Sequence, residues 1–361
     1  MTLPWFHDRC PLYLAPMAGV TDTIFRQLCK EQGADVMVTE FVSAEGIFRR
    51  NERTLEYLEF VDAERPLGVQ LFGGDPAHLG EAARMVVDWK QPDFIDLNFG
   101  CPVNKVVSKQ GGSSLLRDCP LLERVARAVV QAVAPHPVTA KMRIGWSDAT
   151  INATTTARIL EDCGVQAIAV HGRTKEQGYS GEANWDVIAQ VAAAVQVPVI
   201  GNGDIAGALD AERRMQSGVR GLMLGRSAMS APWVFREIKH FLATGEHLAP
   251  PSLEAQWAHI VRHCRWKVEA AGSELHALAS MRSRLMAYSR GMPEAKRLRE
   301  CFSQVTSLIG LDEIAAGSIA RAAESGEADR VVENIQHSTS NIQPPTGAAS
   351  DSAAAALNVG C

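Results

Sequence analysis

The 361-residue sequence has no CxxC pair among its eight cysteines, no His/Cys spacing suited to a metal, and no excess of positive charge. Cysteines at 10, 29, 101, 119, 163, 264, 301 and 361 are scattered, which argues against zinc, iron–sulfur clusters and a secreted disulfide framework. No apolar run approaches the ~18 residues that a membrane span needs, and the N-terminal MTLPWFHDRCP lacks the basic start and apolar stretch of a leader. The expectation is a cytoplasmic protein that binds neither metal nor membrane. Lys and Arg number 36 against 41 Asp and Glu, a net charge of -5, so any surface for a polyanion has to be a local patch.

What the sequence does have is 46% hydrophobic residues arranged in recurring short runs rich in Val, Ile and Leu. With little alternation, such runs read as parallel strands buried on both faces. There are eight: LYLAPMAG from Leu12, VMVTEF from Val36, LGVQLFG from Leu67, FIDLNFG from Phe94, VTAKMRIG from Val138, AIAVHG from Ala167, VPVIGNG from Val197 and GLMLGR from Gly221. Helical periodicity fills most gaps between them. Eight alternations within about 235 residues call for a (β/α)8 TIM barrel rather than a doubly wound sheet. After Pro250-Pro251 the pattern becomes helical alone, over 253–271, 274–290, 294–309 and 312–323, which reads as a small all-α domain. The expected division is a barrel over 1–245, a helical domain over 251–336 and a Ser/Ala-rich disordered tail over 337–361, where Cys361 has no assigned chemistry.

Barrel active sites form where strands end, so the polar residues closing each run are the candidates. They are Pro16, Met17, Ala18 and Gly19; Gln70; Asn98 and Cys101; Lys141 and Arg143; His171, Gly172 and Arg173; Asn202, Gly203 and Asp204; and Gly225 and Arg226. Glycines at the ends of the last two runs let backbone N–H groups approach a phosphate that Arg226 can pair, or else serve only tight turns. Residues 201–206 also satisfy a loose GxGxxA dinucleotide pattern, but no acidic residue follows at the ribose spacing. Asp204 either caps the next helix or faces a ligand. Lys141 lies inside an apolar run and requires an anion; a reduced flavin, Glu40 or Asp96 could each supply one. Gln70, both donor and acceptor, suits the edge of an isoalloxazine ring. Cys101, past the fourth strand, is either a small buried hydrophobe or a proton donor under the glycine-containing loop of residues 105–113. His171 serves either a ligand or the strand end beside Arg173.

In order and spacing, APMAGVTD (15–22), DLNFGCP (96–102), KMRIGW (141–146), HGRT (171–174), NGD (202–204) and GR (225–226) resemble the tRNA-dihydrouridine synthases, most closely their bacterial B-type subgroup, over roughly residues 10 to 240. The resemblance implies FMN as cofactor and NADPH as electron donor, with hydride passing from flavin N5 to uracil C6 and Cys101 protonating C5. It places Pro16, Met17, Ala18 and Gln70 against the flavin, Lys141 and His171 beside its ring system, Asn202, Gly203, Asp204, Gly225 and Arg226 at its phosphate, and Asn98 at the uracil. It also implies tRNA as partner, whose target base has to be flipped out of its stack at a cost of a few kcal/mol.

The patch that offsets this cost is expected between residues 262 and 299, where nine Lys or Arg face three Glu. Arg262, Arg265, Lys267, Arg282, Arg284, Arg290, Lys296, Arg297 and Arg299 are the candidate phosphate contacts, with Arg143 a further substrate contact in the barrel. A monomer is expected for an enzyme that embraces a bulky RNA. Two rivals stand beside this reading: a flavin barrel acting on a free pyrimidine, as dihydroorotate dehydrogenases do, which needs no basic domain, and a tRNA-binding protein without chemistry.

Overall fold

The computed structural model describes residues 3–7, 10–108 and 110–325; the expected tail, Cys361 and the end of the expected helical domain lie outside them. Each of the eight runs forms parallel strand: β1 (Leu12–Leu14), β2 (Met37–Val38), β3 (Val42–Ser43), β4 (Leu67–Phe72), β5 (Phe94–Phe99), β6 (Val138–Arg143), β7 (Ile168–His171), β8 (Val199–Asn202) and β9 (Gly221–Leu224). The strand order is β1-β9-β8-β7-β6-β5-β4-β2, with β3 also on β4. A parallel bridge between Tyr13 and Val36, with the Leu14 amide donating to the Val36 carbonyl at 3.0 Å, brings the two ends of the sheet together. Helices between the strands complete a (β/α)8 barrel.

The second run is not one strand. The Thr39 hydroxyl accepts the Gln70 amide, replacing a backbone acceptor, and the chain turns so that Glu40 accepts the Gly19 amide. The sheet resumes at Val42.

Strand periodicity separates two apolar sets. Val69, Leu71, Ile95, Leu97, Ala140 and Met142 point outward into the layer shared with the helices. Tyr13, Val36, Phe94, Ala169, Ile200 and Met223 point inward and close over Leu3 and Phe6 at the barrel floor. Space inside is tight: a Cβ on Gly68 would lie 2.1 Å from the Phe94 ring. Farther along, apart from Phe72 at the end of β4, the inward positions of β4 to β6 are polar, so the barrel has a greasy floor and a polar mouth.

Helices Leu253–Ala271, Glu274–Tyr288, Ala295–Gln304 and Leu308–Ser325 pack around a core of Trp257, Ile260, Leu278, Leu285, Phe302 and Leu311. The last break falls at 305–307, earlier than expected, because Ser307 Oγ accepts the Gly310 amide at 3.1 Å; Gly310 therefore opens a helix instead of ending one.

This helical region is fastened to the loop after β1 and to the helix that follows it, Thr23–Glu31. Arg284 is buried, lies 3.8 Å over the Phe25 ring and donates to the Val20 carbonyl at 2.5 Å. Lys267 pairs with Asp22 at 3.0 Å, and Arg262 makes two 2.7 Å contacts to Glu31. Three expected phosphate contacts are thus internal fasteners, and Arg265 is held by Asp312 at 2.9 Å. For Arg284 this is a correction: its guanidinium is enclosed and stacked, so it does not present itself to RNA. Arg284→Ala leaves the Val20 carbonyl without its donor and opens a void beside Phe25. The expected cost is about 1–3 kcal/mol in urea unfolding, whereas Arg282→Ala, at an exposed position on the same helix, changes stability by less than about 0.5 kcal/mol.

Candidate active site

Parallel register lines up the polar residues of the mouth. Gln70 stands beside Asp96 and Asp96 beside Thr139; Asn98 pairs with Lys141; Arg143 pairs with His171, which pairs with Asn202. Neighbours in register on parallel strands share a face, so these side chains converge.

Cys101 follows β5 and is 6% exposed. Its carbonyl accepts the Ser113 amide at 3.1 Å and the Ser113 hydroxyl at 2.9 Å, while Asn98 Oδ1 accepts the Cys101 amide at 2.9 Å. Burial pushes the thiol up from its ordinary range, with a hydrogen bond at the Val103 backbone and the nearby Arg143 and Lys141 pulling the other way. At neutral pH the group is a thiol that faces cations, suited to giving up a proton.

Lys141 forms no ion pair or hydrogen bond among the described residues. The Asp96 carboxylate is taken by Gln70 and Thr139 at 2.6 Å each, and Glu40 by the Gly19 amide, so neither expected carboxylate partners it. Burial and the neighbouring Arg143 bring the ammonium down to about 8, with Asp96 and Cys101 opposing.

His171 is buried and held neutral, its pKa driven far down by burial and by Lys141, Arg143, Arg173 and Arg226 around it. Four cations about one imidazole make the mouth strongly electropositive. Asp204, at φ +51, partners two of them: its oxygens accept from Arg173 and Arg226 at 2.8 Å each, and from the Ala183 amide at 2.7 Å. It caps no helix. Gly203, at φ +124, leaves no room for a side chain, since a Cβ would lie 2.6 Å from that of Ala183, and its carbonyl accepts the Trp185 indole at 3.0 Å. Asn202 Nδ2 donates to the Met223 carbonyl at 2.7 Å.

Arg143, expected to meet substrate, is spent on the protein. Nε donates to the Gly100 carbonyl at 3.0 Å, and Nη1 to those of Thr174 and Gly178 at 2.8 and 2.9 Å. It joins the Cys101 loop to the loop after β7, and Tyr179 of that loop, 61% exposed, lies under both Arg143 and Arg226. Pro16 and Met17 are half-buried at the end of β1, and Ala18 is exposed. Arg282, Arg290, Lys296, Arg297 and Arg299 are exposed and without ion-pair partners among the described residues. In the sequence Arg173 only closes its run, Asp96 only offers Lys141 a partner and Thr139 is not among the candidates, although inward position at 139, 141 and 143 and at 96 and 98 follows from strand period alone.

Residues 13–324 match the family described as Dihydrouridine synthase (Dus). The chain is 47% identical over 241 residues to tRNA-dihydrouridine synthase B of Xanthomonas axonopodis pv. citri, covering 66% of this chain and 72% of that one. To tRNA-dihydrouridine synthase B of Pseudomonas aeruginosa it is 41% identical over 295 residues, 81% and 88% of the two chains. To a protein of Rickettsia bellii named "Probable tRNA-dihydrouridine synthase" it is 41% identical over 290 residues, 80% and 88%. The match runs from the first barrel strand through the last described helix: the chain belongs to the dihydrouridine synthase family.

Proposed function

We propose that the protein reduces the C5=C6 bond of uridines in tRNA, with FMN as its cofactor and NADPH as electron donor. What supports this best is a buried, protonated thiol at a barrel mouth surrounded by Lys141, Arg143, Arg173 and Arg226.

The mouth fits an anionic flavin. Arg173 Nη1 and Ser227 Oγ are buried without a partner among the described residues, the first beside Asp204 and the second next to Arg226 in sequence, which suits a phosphate. Lys141 lacks an anion and lies opposite Asn98, while Gln70 and Asn98 each retain an uncommitted amide N–H for a carbonyl edge. Pro16, Met17 and Ala18 would flank the ring, with Gly203 and Gly225 giving backbone approach. When bound, FMN supplies the hydride taken up at uracil C6, and NADPH renews it. Cys101 supplies the proton at C5: its S–H bond breaks, a C–H bond forms, and the resulting thiolate faces Lys141 and Arg143. Burial of the site excludes water from this transfer.

The helical region from residue 251 is the proposed RNA-binding unit, and one chain carries both it and the mouth, so a monomer suffices. Exposed Arg282, Arg290, Lys296, Arg297 and Arg299 would meet phosphates, and Asn98 the flipped uracil. Changing Lys296, Arg297 and Arg299 together to Ala should weaken tRNA binding uniformly across sequences and lower the slope of log affinity against log salt by about one for each phosphate no longer neutralised. Flavin content should not change.

The deciding experiment is digestion and mass spectrometry of tRNA from cells lacking the gene, complemented with the wild type. Return of a uridine heavier by two hydrogens at defined positions supports the proposal. An unchanged modification map, with activity on a free pyrimidine, overturns it.

A further inference from the structure

Four buried side chains on β4, β5 and β6 form one chain of hydrogen bonds whose direction is set by a carboxylate at one end and by backbone amides at the other. Thr139 Oγ1 donates to Asp96 Oδ1 at 2.6 Å, and Gln70 Nε2 to Asp96 Oδ2 at 2.6 Å. Asn98 Nδ2 donates to Gln70 Oε1 at 2.6 Å, leaving Asn98 Oδ1 to accept the amides of Gly100 at 3.1 Å and Cys101 at 2.9 Å. All four residues are between 0 and 7% exposed, so water does not compete for these partners.

The polarity of the chain is not arbitrary. A side-chain amide has almost the same shape in either orientation, one end donating and the other accepting. Burial pushes the Asp96 carboxyl up, while the hydrogen bonds from Thr139 and Gln70 and the nearby Lys141 favour the ionised form, which only accepts. With a carboxylate at 96, Gln70 has to direct its amino group there and its carbonyl to Asn98. Asn98 has to answer with its own amino group, and the only group it then has for the backbone is an acceptor, which Gly100 and Cys101 require. Were Gln70 reversed, Asn98 would reverse too and set N–H against N–H at the Cys101 loop.

We propose that Asp96 is a positioning residue which, through Gln70 and Asn98, fixes the orientation of the loop that carries Cys101. The inference deepens the proposed role of Cys101 and rests on that reading for its catalytic meaning, although the lock itself is a property of the flavin-free protein.

Peptide-resolved alkylation of the flavin-free, RNA-free protein by iodoacetamide tests it, with fully buried Cys29 and Cys264 as internal reporters of the rest of the fold. Asp96→Leu removes the acceptor that orients Gln70. It should speed alkylation of Cys101 at least about fivefold, the lower end of what one unmatched buried polar pair shifts a local opening equilibrium, with Cys29 and Cys264 unchanged. Gln70→Leu should do the same, and the double variant should be no faster than either single, because both cut one chain. Asp96→Asn should behave as wild type: the Gly100 and Cys101 amides still fix the direction from the loop end, so the new side chain's carbonyl accepts from Gln70 and its amino group can use the Thr139 hydroxyl. This variant also removes the charge, so it separates orientation from electrostatics. A Cys101 rate unchanged in Asp96→Leu overturns the proposal. So does a joint rise at all three cysteines, additive singles, or failure of Asp96→Asn to protect. Since no turnover is measured, these outcomes are independent of whether Cys101 donates the proton, which Cys101→Ala tests separately.

Discussion

Cys101→Ala is expected to lower dihydrouridine formation by about 10²–10⁴-fold, the range for removing a positioned general acid, while tRNA affinity and flavin content stay at wild-type levels. Alanine keeps the bonds that hold the loop, the carbonyl bonded by Ser113 and the amide bonded to Asn98, and removes the thiol with its hydrogen bond at the Val103 backbone. The loss should therefore fall on kcat rather than KM. Burial raises the thiol above its ordinary range, so the donor remains protonated as pH rises through neutrality, and activity dependent on Cys101 should hold until pH exceeds that range. Serine keeps the shape but is a far weaker acid, and should restore little. Single-turnover product formation, measured by mass spectrometry on unmodified tRNA, checks this. A rate near wild type in Cys101→Ala would mean that the proton comes from elsewhere, and a parallel loss of tRNA binding would mean that the loop, not the thiol, had been damaged.

The barrel was legible because parallel strands buried on both faces have to be apolar, and all eight runs form strand. The mouth was less so. Reading the runs as continuous apolar stretches hid their inner rhythm: Thr139, Lys141 and Arg143 alternate with Ala140 and Met142, and Asp96 and Asn98 with Leu97. A period of two puts the polar set inward at once, and would have brought Asp96 and Thr139 into the site. A charge count over 262–299 failed at Arg284 for a similar reason. Ala277, Leu278, Met281, Arg284, Leu285 and Tyr288 recur at helical spacing, so Arg284 lies on the buried face of its helix and Arg282 off it. What no local pattern carries is the long-range pairing of Asp204 with Arg173 and Arg226, or of Lys267 with Asp22. Those pairs depend on which loops the closed barrel brings together.

Lys141 supplies the second large effect, and its sign can be worked out before the experiment. In the flavin-free protein, burial and Arg143 hold its pKa at about 8 against 10.5 for a free side chain. Below about 8 the ammonium is charged and unpaired on a half-buried side chain; above it the folded state sheds that proton before the unfolded state does. Its contribution to folding stability therefore rises with pH from about 8 to 10.5, and the stability difference between wild type and Lys141→Met should grow in favour of wild type across this window. Anion binding runs the other way. A flavin facing the ammonium stabilises the charged form, so affinity should be level below pH 8 and fall above it by up to about tenfold per unit, as each binding event has to take up a proton. Lys141→Met should bind FMN about ten- to a hundredfold more weakly at pH 7, the scale of one lost charge-assisted hydrogen bond, and show no such fall. Fluorescence titration of flavin-free protein from pH 7 to 9 measures both. Coincident curves would place the flavin away from Lys141, whereas a level wild-type curve with an offset variant would mean that the lysine contacts the flavin while keeping its proton throughout.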